Sequence, residues 1–208
     1  MHTTLLLVRN GATEWSRERR VVGRRDIGLS AEGRAQAEEL AARLVGVEVA
    51  EVLSSPLPRA FETAELVASS HKNEVARDPR LTDFHAGKWE GMKYADVSGS
   101  EDYRRFLASP LADAIPGGGE TLHAARDRMV GSIEQALGDN ELGANIIVFS
   151  HAGPLRVLIA HYLGMDLANY HRLRISPASV TALRFETEHG MPRVLAVNCV
   201  GDVNPIIR

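Results

Sequence analysis

The sequence predicts an α/β fold, a three-layer sandwich with a mostly parallel central sheet, helices on both faces and an antiparallel edge strand. Leu5–Val8 and Asn145–Phe149 are short, continuous apolar runs, which is typical of parallel strands buried on both faces. Segments with helical spacing of apolar residues lie between the strand-like runs. Near the C-terminus, Val180–Phe185 and Arg193–Asn198 are joined by a turn at His189-Gly190, which indicates an antiparallel edge.

The first strand leads into a polar loop. The apolar run stops at Arg9, and Asn10-Gly11 follows directly. This dipeptide suits a two-residue hairpin turn. The residues after it are polar and do not alternate, so we disfavour a hairpin and expect a loop followed by a helix. That helix is predicted over Ala31–Leu44, with Ser30 as its N-cap.

A second strand and helix follow the same plan. Val47–Ser54 fits a strand, and two prolines separate it from a helix over Arg59–Ser69. Arg59 lies in the first turn of that helix, where a cation is unfavourable unless a bound anion compensates it. A phosphate held by Arg59 and the helix end would be such an anion. A solvated surface arginine is the default interpretation for any single arginine.

The alternation lapses at about residues 78–119. This segment contains a short predicted helix over Asp102–Leu107 and the turn Pro116–Gly119. We interpret the segment as an insertion that covers the active edge of the sheet within a single domain of residues 1–208. Its glycine run lacks the ending of a P-loop, so we interpret the run as a loop. Helices are predicted on either side of the Asn145–Phe149 strand, over Glu120–Leu137 and Leu155–Leu163.

Composition limits the possible partners. The 208 residues suit one α/β domain, and a net charge of −3 with interleaved acids and bases gives no case for binding nucleic acid or an anionic membrane. No apolar stretch is long enough to cross a bilayer, and the first residues lack the pattern of a signal peptide, so we expect a cytoplasmic protein. Cys199 is the lone cysteine, which excludes an internal disulfide framework and fits a reducing compartment.

Three cationic or cationisable side chains are predicted at one edge of the sheet. Arg9 and His151 each follow a buried strand directly, and Arg59 opens the helix after a third strand. Such groups would repel one another without an anion between them. Their convergence therefore indicates a site for a polyanionic group, most simply a phosphoryl group. A single histidine would more often be a satisfied core residue.

In this order and at these separations, the motifs resemble those of the histidine phosphatase superfamily, which includes cofactor-dependent phosphoglycerate mutases and many small-molecule phosphatases. The resemblance covers nearly the whole chain. It rests on Leu6–Trp15, on Gly23–Ala37, on Ser54–Ala60, on Arg80–Asp83 with Gly87–Gly91, on Pro116–Glu120 and on Ser150–Gly153.

The resemblance implies a phosphoenzyme mechanism. A histidine after the first strand attacks phosphorus, while two arginines and a second histidine bind the phosphoryl oxygens and stabilise the transition state. Arg9, Arg59 and His151 match those binding positions. Asp83 matches the acidic residue that protonates the leaving oxygen and then activates water, with Glu90 as a rival. We expect no cofactor and no metal, because the His, Asp and Glu residues lack metal-ligand spacing.

Three residues depart from the family pattern. Asp83 is shorter than the usual glutamate, and Ser16 replaces an asparagine that is common at this phosphate-binding position, which weakens one phosphate contact. Most seriously, Asn10 replaces the nucleophilic histidine. An amide nitrogen shares its lone pair with the carbonyl group and cannot take a phosphoryl group, so the chain should not turn over by the family mechanism. We favour a deliberate substitution that traps a ligand over a natural loss of catalysis, because buried cations without an anion are costly.

We therefore predict a phosphomonoesterase scaffold that acts on a small phosphorylated metabolite and is inactivated at Asn10. A phosphoglycerate mutase and a non-catalytic phospho-ligand-binding protein are the alternatives, and a metal-dependent hydrolase is disfavoured. Possible substrates include sugar phosphates, phosphoglycerate derivatives, phosphoserine and α-ribazole phosphate. A homodimer through an edge strand stays open. The residues that we expect to shape the substrate loop are Gly23, His85, Trp89, Tyr94, Tyr103, Gly118 and Glu120.

Overall fold

A computed structural model describes residues 2–112, 114–140, 143–186 and 190–207. Six strands of this part of the chain form one sheet, in the order β3-β2-β4-β1-β5-β6. The strands are β1 (Thr3–Arg9), β2 (Glu51–Ser54), β3 (Val75–Arg77), β4 (Asn145–Ser150), β5 (Val180–Phe185) and β6 (Arg193–Cys199).

Helices connect these strands and cover both faces of the sheet. The α-helices are α1 (Glu14–Arg17), α2 (Ala31–Leu44), α3 (Pro58–Ala68), α4 (Tyr94–Gly99), α5 (Glu101–Ala108), α6 (Leu122–Asp139), α7 (Ala152–Tyr162) and α8 (Asn204–Ile207). Short 3₁₀ helices span Pro79–Leu81, Gly87–Trp89 and Leu167–Arg172. Within the described residues, no helix is both long enough and apolar enough to span a membrane.

The sheet is mixed, as the sequence predicts. Strands β3, β2, β4 and β1 pair in parallel, whereas β5 pairs antiparallel with both β1 and β6. Alternate residues of β1 pack on opposite faces: Leu5 and Leu7 pack on the side of α6 and α7, and Leu6 and Val8 on the side of α2 and α3. This explains the unbroken apolar run, because both faces of the central strand are buried.

The register of the parallel strands positions the site. Arg9 of β1 lies beside Ser150 of β4, so Asn10 and His151 leave neighbouring strands at the same edge. The backbone N–H of Asn10 donates to the Ser150 carbonyl oxygen at 3.0 Å. Strand β2 ends at Ser54 on the other side of β4, and α3 begins at the same edge. Ligands bind at this carboxyl edge in open α/β sheets.

Several predicted boundaries differ from the structure. The strand expected over Val47–Ser54 comprises only Glu51–Ser54, since pairing with β4 begins at Glu51. The short strand β3 and the helices α1 and α4 were not predicted. The helix Ala31–Leu44 and its N-cap Ser30 are confirmed, with the Ser30 side chain accepting from the N–H of Gly33 at 3.1 Å. His189 of the predicted turn lies outside the described residues.

The segment of residues 78–119 packs against the rest of the protein through a small hydrophobic cluster that both share. Trp89, Val97 and Phe106 cluster with Val157 of α7. Trp89 packs edge-on against Phe106, with ring centroids 5.9 Å apart. We call residues 78–119 the covering segment. Its aromatic residues are anchored next to the helix that follows His151.

Candidate active site

Arg59 is a buried cation at the start of α3. Its side chain is 2% exposed and donates to the carbonyl oxygens of Gly23 at 2.7 Å and Arg25 at 3.0 Å. The first turn of α3 carries no acidic residue, and its N-cap Leu57 makes no side-chain hydrogen bond to the helix end. The helix end is thus left positive beside a guanidinium group, which favours an anion at this position.

Asp83 of the covering segment lies against Arg59. Its Oδ2 is 2.9 Å from Nη2 of Arg59 and 3.8 Å from Nδ1 of His151. Burial raises the pKa of the Asp83 carboxyl group, although the Arg59 and Arg9 charges oppose that shift. A carboxyl group with a raised pKa can hold a proton closer to neutral pH, which a general acid requires.

Arg9 lies at the end of β1 and lines the same cavity as Asp83. Its Nη1 donates to the carbonyl oxygen of Ile175 at 2.6 Å. Burial lowers the pKa of Arg9 to about 10, and the charges of Arg156 and Arg59 act in the same direction, while Asp83 opposes them. Arg9 therefore stays protonated at neutral pH, in surroundings that favour an added negative charge.

His151 is buried and hydrogen-bonded on one side only. Its Nε2 is 2.8 Å from Oγ of Ser55, whereas Nδ1 has no hydrogen-bond partner in the described part of the chain. Burial, followed by the charges of Arg59, Arg128 and Arg9, holds the pKa of His151 well below its ordinary value of 6.5. The imidazole is therefore neutral at pH 7. If the Ser55 hydroxyl donates to Nε2, the proton lies on Nδ1, which is then a free donor.

Asn10 is buried directly after β1. Its Nδ2 donates to the carbonyl oxygen of Gly11 at 2.7 Å. The N–H of Gly11 donates to Oγ1 of Thr63 on α3 at 3.1 Å, which ties the loop to the helix of Arg59. The side-chain amide is thus held by a bond to the backbone.

A cavity of about 560 Å³ opens beside these residues. Ser16 and Gly23 from the first loop line it, together with Trp89 of the covering segment. Ser16 also closes a capping box with Thr13 at the start of α1. Other lining residues include Arg9, Asp83, Phe84, Tyr94, Tyr103, Arg156 and Tyr170.

Three residues expected in the substrate loop are not among the described residues that line this cavity: His85, Gly118 and Glu120. Glu120 forms an ion pair with Arg128 at 2.8 Å and accepts from the N–H of His85 at 3.0 Å. Gly118 lies in an exposed turn with φ of +88°. These contacts hold the covering segment together. Glu90, the rival of Asp83, forms an ion pair with Arg25 at 3.1 Å and accepts from the N–H of Ala86 at 3.3 Å.

Sequence reasoning did not single out two polar residues of the site. Ser55 directly follows β2, but its contact with His151 depends on how β2 and β4 pair. Arg156 lines the cavity from α7. A signal for Arg156 was present, because it is the only Lys or Arg in the otherwise apolar helix AGPLRVLIAHY. No group of three metal-ligating side chains is found among the residues that the structure describes.

Comparison with curated proteins finds relatives along most of the chain. A phosphoglycerate mutase-like protein of Arabidopsis thaliana is 37% identical over 161 residues, which cover 76% of this chain and 70% of that protein. Phosphoserine phosphatase 1 of Hydrogenobacter thermophilus is 30% identical over 197 residues, covering 94% and 92% of the two chains. A probable phosphoglycerate mutase of Cronobacter sakazakii is 30% identical over 199 residues, or 95% of this chain and 92% of that one.

Solved structures share the fold. A mutant phosphoserine phosphatase of Entamoeba histolytica in complex with phosphoserine superposes with a TM-score of 0.85 and 27% identity, covering 97% and 99% of the two chains. A mycobacterial glucosyl-3-phosphoglycerate phosphatase in complex with VO₃ gives a TM-score of 0.85 at 26% identity, covering 94% and 99%. The sequence profile of the histidine phosphatase superfamily (branch 1) matches residues 5–200. With this match and these relatives, the chain belongs to the histidine phosphatase superfamily.

Proposed function

We propose that this chain is the scaffold of a phosphomonoesterase that acts on a small phosphorylated metabolite through a phosphohistidine intermediate, and that Asn10 disables the first chemical step. The observation that carries the proposal is that Arg59 and His151 both lie within 3.8 Å of Oδ2 of Asp83. Arg9 lines the same cavity. Two guanidinium groups and a neutral imidazole donor suit a phosphoryl dianion.

The arginines and His151 supply the electrostatic part of the mechanism. Arg9 and Arg59 bear charges that burial keeps from water, so their attraction for phosphoryl oxygens is stronger than at an exposed site. His151 adds a hydrogen bond from Nδ1 when Ser55 holds its other nitrogen. In the transition state, negative charge is spread over the phosphoryl oxygens. Hydrogen-bond donors that are already fixed in position stabilise this charge, and they lower the activation barrier because they do not need to reorganise.

The position of Asn10 suits an imidazole. A histidine that donated from Nδ1 to the Gly11 carbonyl oxygen, as the Asn10 amide now does at 2.7 Å, would keep Nε2 unprotonated. Nε2 would form a bond to phosphorus while the bond from phosphorus to the alcohol oxygen breaks. The amide of Asn10 has no such lone pair. We therefore expect the chain to bind phosphate esters without cleaving them.

Asp83 is the proposed proton donor. In its protonated form, which burial favours, it would give its proton to the leaving alcohol oxygen. The resulting carboxylate would then take a proton from water as that water attacks phosphorus and the bond to nitrogen breaks. A bound phosphoryl dianion beside Asp83 raises its pKa further, because like charges disfavour ionisation.

Relatives support a phosphatase in general. The Hydrogenobacter thermophilus protein and the Entamoeba histolytica structure bear the name phosphoserine phosphatase, and the mycobacterial structure is a glucosyl-3-phosphoglycerate phosphatase. The probable phosphoglycerate mutases are similar over 95% of this chain, so a mutase is the second candidate.

The test is Asn10→His, with phosphate release measured from phosphoserine, 3-phosphoglycerate, glycerol 3-phosphate and p-nitrophenyl phosphate. We expect a rate gain of about a thousandfold or more over the parent chain on at least one ester, since loss of a nucleophile typically costs at least that much. Asn10→Gln is the matched control, because it keeps an amide and should remain inactive. Acid-labile phosphate on the Asn10→His protein would identify the intermediate.

Other outcomes separate the alternatives. Saturable phosphate binding with no turnover by Asn10→His would contradict the enzyme proposal and favour a non-catalytic binding protein. Conversion of 3-phosphoglycerate to 2-phosphoglycerate faster than phosphate release would favour the mutase.

A further inference from the structure

Asp83 lies in a stretch of irregular backbone, because residues 82–86 belong to no helix or strand. Its side chain is short, so the position of the carboxyl group follows the position of the backbone closely. Backbone polar groups on either side of Asp83 are bonded to side chains of other segments. These side chains therefore determine where the Asp83 carboxyl group lies.

Arg128 of α6 binds the backbone that leads into Asp83. Its Nη1 donates to the carbonyl oxygens of Arg80 at 2.6 Å and Thr82 at 2.7 Å. Its Nη2 donates to the carbonyl oxygen of Asp83 at 3.4 Å. The Arg128 side chain is only 15% exposed, so these hydrogen bonds are shielded from water and are stronger for it. One guanidinium group thus bonds to three carbonyl oxygens of this stretch.

Glu120 binds the backbone on the other side of Asp83. Its Oε1 accepts from the N–H of His85 at 3.0 Å, and its own N–H donates to the His85 carbonyl oxygen at 3.0 Å. The same carboxylate accepts two hydrogen bonds from Arg128, from Nε at 3.0 Å and from Nη2 at 2.8 Å. A bidentate pair has a specific geometry, so the two side chains act as one unit. We call Arg128 and Glu120 the clasp.

The clasp binds the backbone around Asp83, while the carboxyl group faces Arg59 and His151. Oδ2 of Asp83 lies 2.9 Å from Nη2 of Arg59 and 3.8 Å from Nδ1 of His151. A general acid must lie within hydrogen-bond reach of the atom that it protonates, and a displacement of about 1 Å can cost about a hundredfold in rate. The clasp is therefore placed to control proton transfer without contact with the substrate.

We propose that Arg128 is a positioning residue for the general acid: paired with Glu120, it fixes the backbone of residues 82–85 so that the Asp83 carboxyl group reaches the leaving oxygen. This inference rests on the proposed function. The charge of Arg128 also helps to lower the pKa of His151, so the experiments separate that charge from positioning.

The first experiment needs no turnover and uses the chain as it stands. In a crystal structure of Arg128→Gln, we expect Oδ2 of Asp83 to move from 2.9 Å to more than about 3.5 Å from Nη2 of Arg59, beyond hydrogen-bond range. Arg126→Gln is the matched control, because Arg126 lies on the same helix but pairs with the adjacent aspartate at 2.6 Å. That variant should keep the parent distance. An Asp83 carboxyl group that stays in place in Arg128→Gln would overturn the inference.

The second experiment uses the Asn10→His chain and measures the rate of enzyme phosphorylation by rapid quench. The alcohol of glycerol 3-phosphate needs a proton to leave, whereas the nitrophenolate of p-nitrophenyl phosphate leaves without one. We expect Arg128→Gln to slow the reaction of glycerol 3-phosphate about a hundredfold and that of p-nitrophenyl phosphate less than about threefold. Loss of the same factor on both esters would indicate a merely structural role and overturn the inference.

Asp83→Asn tests whether Arg128 acts through Asp83. In a chain that already carries Asp83→Asn, Arg128→Gln should change the glycerol 3-phosphate rate less than about threefold, because the group that it positions is gone. Losses that add up would overturn the inference.

Arg128→Lys separates charge from positioning. It keeps the charge that acts on His151 but cannot form the bidentate fork, so it should show the same selective loss on glycerol 3-phosphate as Arg128→Gln. A rate equal to that of the parent would mean that the charge alone matters, and would overturn the inference.

Folding and the proposed function are checked separately. Circular dichroism and Tm show whether each variant is folded, and Arg128→Lys replaces Arg128→Gln in every arm if loss of the buried ion pair unfolds the chain. An Asn10→His chain without turnover would contradict the proposed function and, with it, the role of Arg128 in proton transfer. Turnover by Asn10→His together with an unmoved Asp83 in Arg128→Gln would overturn this inference alone.

Discussion

At the scale of single residues, the protonation state of His151 determines what it can do. A cationic His151 would add a third positive charge beside Arg9 and Arg59, but burial and those charges keep the pKa low. A neutral imidazole carries a proton on one ring nitrogen only. A neighbouring group must therefore determine which of the two nitrogens of His151 donates a hydrogen bond. Ser55, at 2.8 Å from Nε2, is the residue in position to select it. We therefore assign Ser55 a positioning role.

Ser55→Ala should change the tautomer of His151 and weaken phosphate binding. We expect loss of the preference for the Nδ1–H form, seen in ¹⁵N NMR of labelled histidine, and an increase of about tenfold in the Kd for inorganic phosphate. Ser54→Ala is the control, because Ser54 is also buried but donates to the Ser55 carbonyl oxygen at 2.9 Å. An unchanged His151 spectrum in Ser55→Ala would rule out the positioning role.

The low pKa of His151 also makes folding stability depend on pH. Below about pH 6.5 the unfolded chain protonates this histidine and the folded chain does not, so the free energy of unfolding falls as pH decreases. We expect the parent to lose about 1 kcal/mol relative to His151→Gln between pH 6.5 and 5.5, as this histidine goes from half to mostly protonated in the unfolded chain. Urea unfolding measures this difference.

Other groups titrate in the same pH range. Their contribution to the free energy of unfolding is the same in the parent and in His151→Gln, so it cancels in the difference between the two. Parallel curves for His151→Gln and the parent would mean that His151 is not held neutral.

At the scale of elements, the loop after β1 depends on its close contact with α2. Gly11 and Gly33 face each other: a Cβ at Gly33 would overlap the backbone of Ala12, and one at Gly11 would overlap the Gly33 carbonyl oxygen. Gly11 in turn is bonded to Thr63 of α3. The contact therefore sets the distance between the loop of Asn10 and the helix of Arg59.

Gly33→Ala tests this contact. We expect a loss of about 2 kcal/mol or more in the free energy of unfolding from the forced backbone shift, and weaker phosphate binding. Gly131→Ala in α6 is the matched control, since its added Cβ would have no described heavy atom within 4 Å apart from its chain neighbours and the backbone of its own helix. That variant should gain about 0.5–1 kcal/mol. Equal stability of the two variants in urea unfolding would contradict the assigned packing.

Much of this arrangement could be predicted from the order of elements. Parallel strands that end at one edge of the sheet bring Arg9 and His151 together, and this does not depend on the conformation of the loops that follow. The N-cap residue Ser30 likewise identified the start of α2. Strand β3 could not be predicted, because its three residues are largely exposed and carry no apolar alternation. The contact between Ser55 and His151 depends on how β2 pairs with β4, and sequence spacing does not report that.

At the scale of the whole molecule, the covering segment packs against α6 and α7, and α7 directly follows His151. Its Trp89 and Phe106 share a hydrophobic cluster with Val157 of α7. Arg128 of α6 donates to the carbonyl oxygens of Arg80 at 2.6 Å and Thr82 at 2.7 Å. On these contacts, we propose that the covering segment and the sheet unfold as one cooperative unit.

We expect one unfolding transition for the chain in calorimetry, with equal calorimetric and van't Hoff enthalpies. Inorganic phosphate should raise Tm, because a ligand that binds only the folded state stabilises it. Phe106→Ala should lower the temperature of that single transition. A separate low-temperature transition in the parent or in Phe106→Ala would mean that the covering segment unfolds independently.

We propose above all that Arg9, Arg59 and His151 together bind one phosphoryl group. The most direct measurement is a crystal structure of the chain, with Asn10 in place, soaked with 3-phosphoglycerate. We predict an intact ester whose phosphoryl oxygens lie about 3 Å from the guanidinium groups of Arg9 and Arg59 and from Nδ1 of His151. A phosphoryl group bound elsewhere, or in contact with none of the three side chains, would contradict the claim.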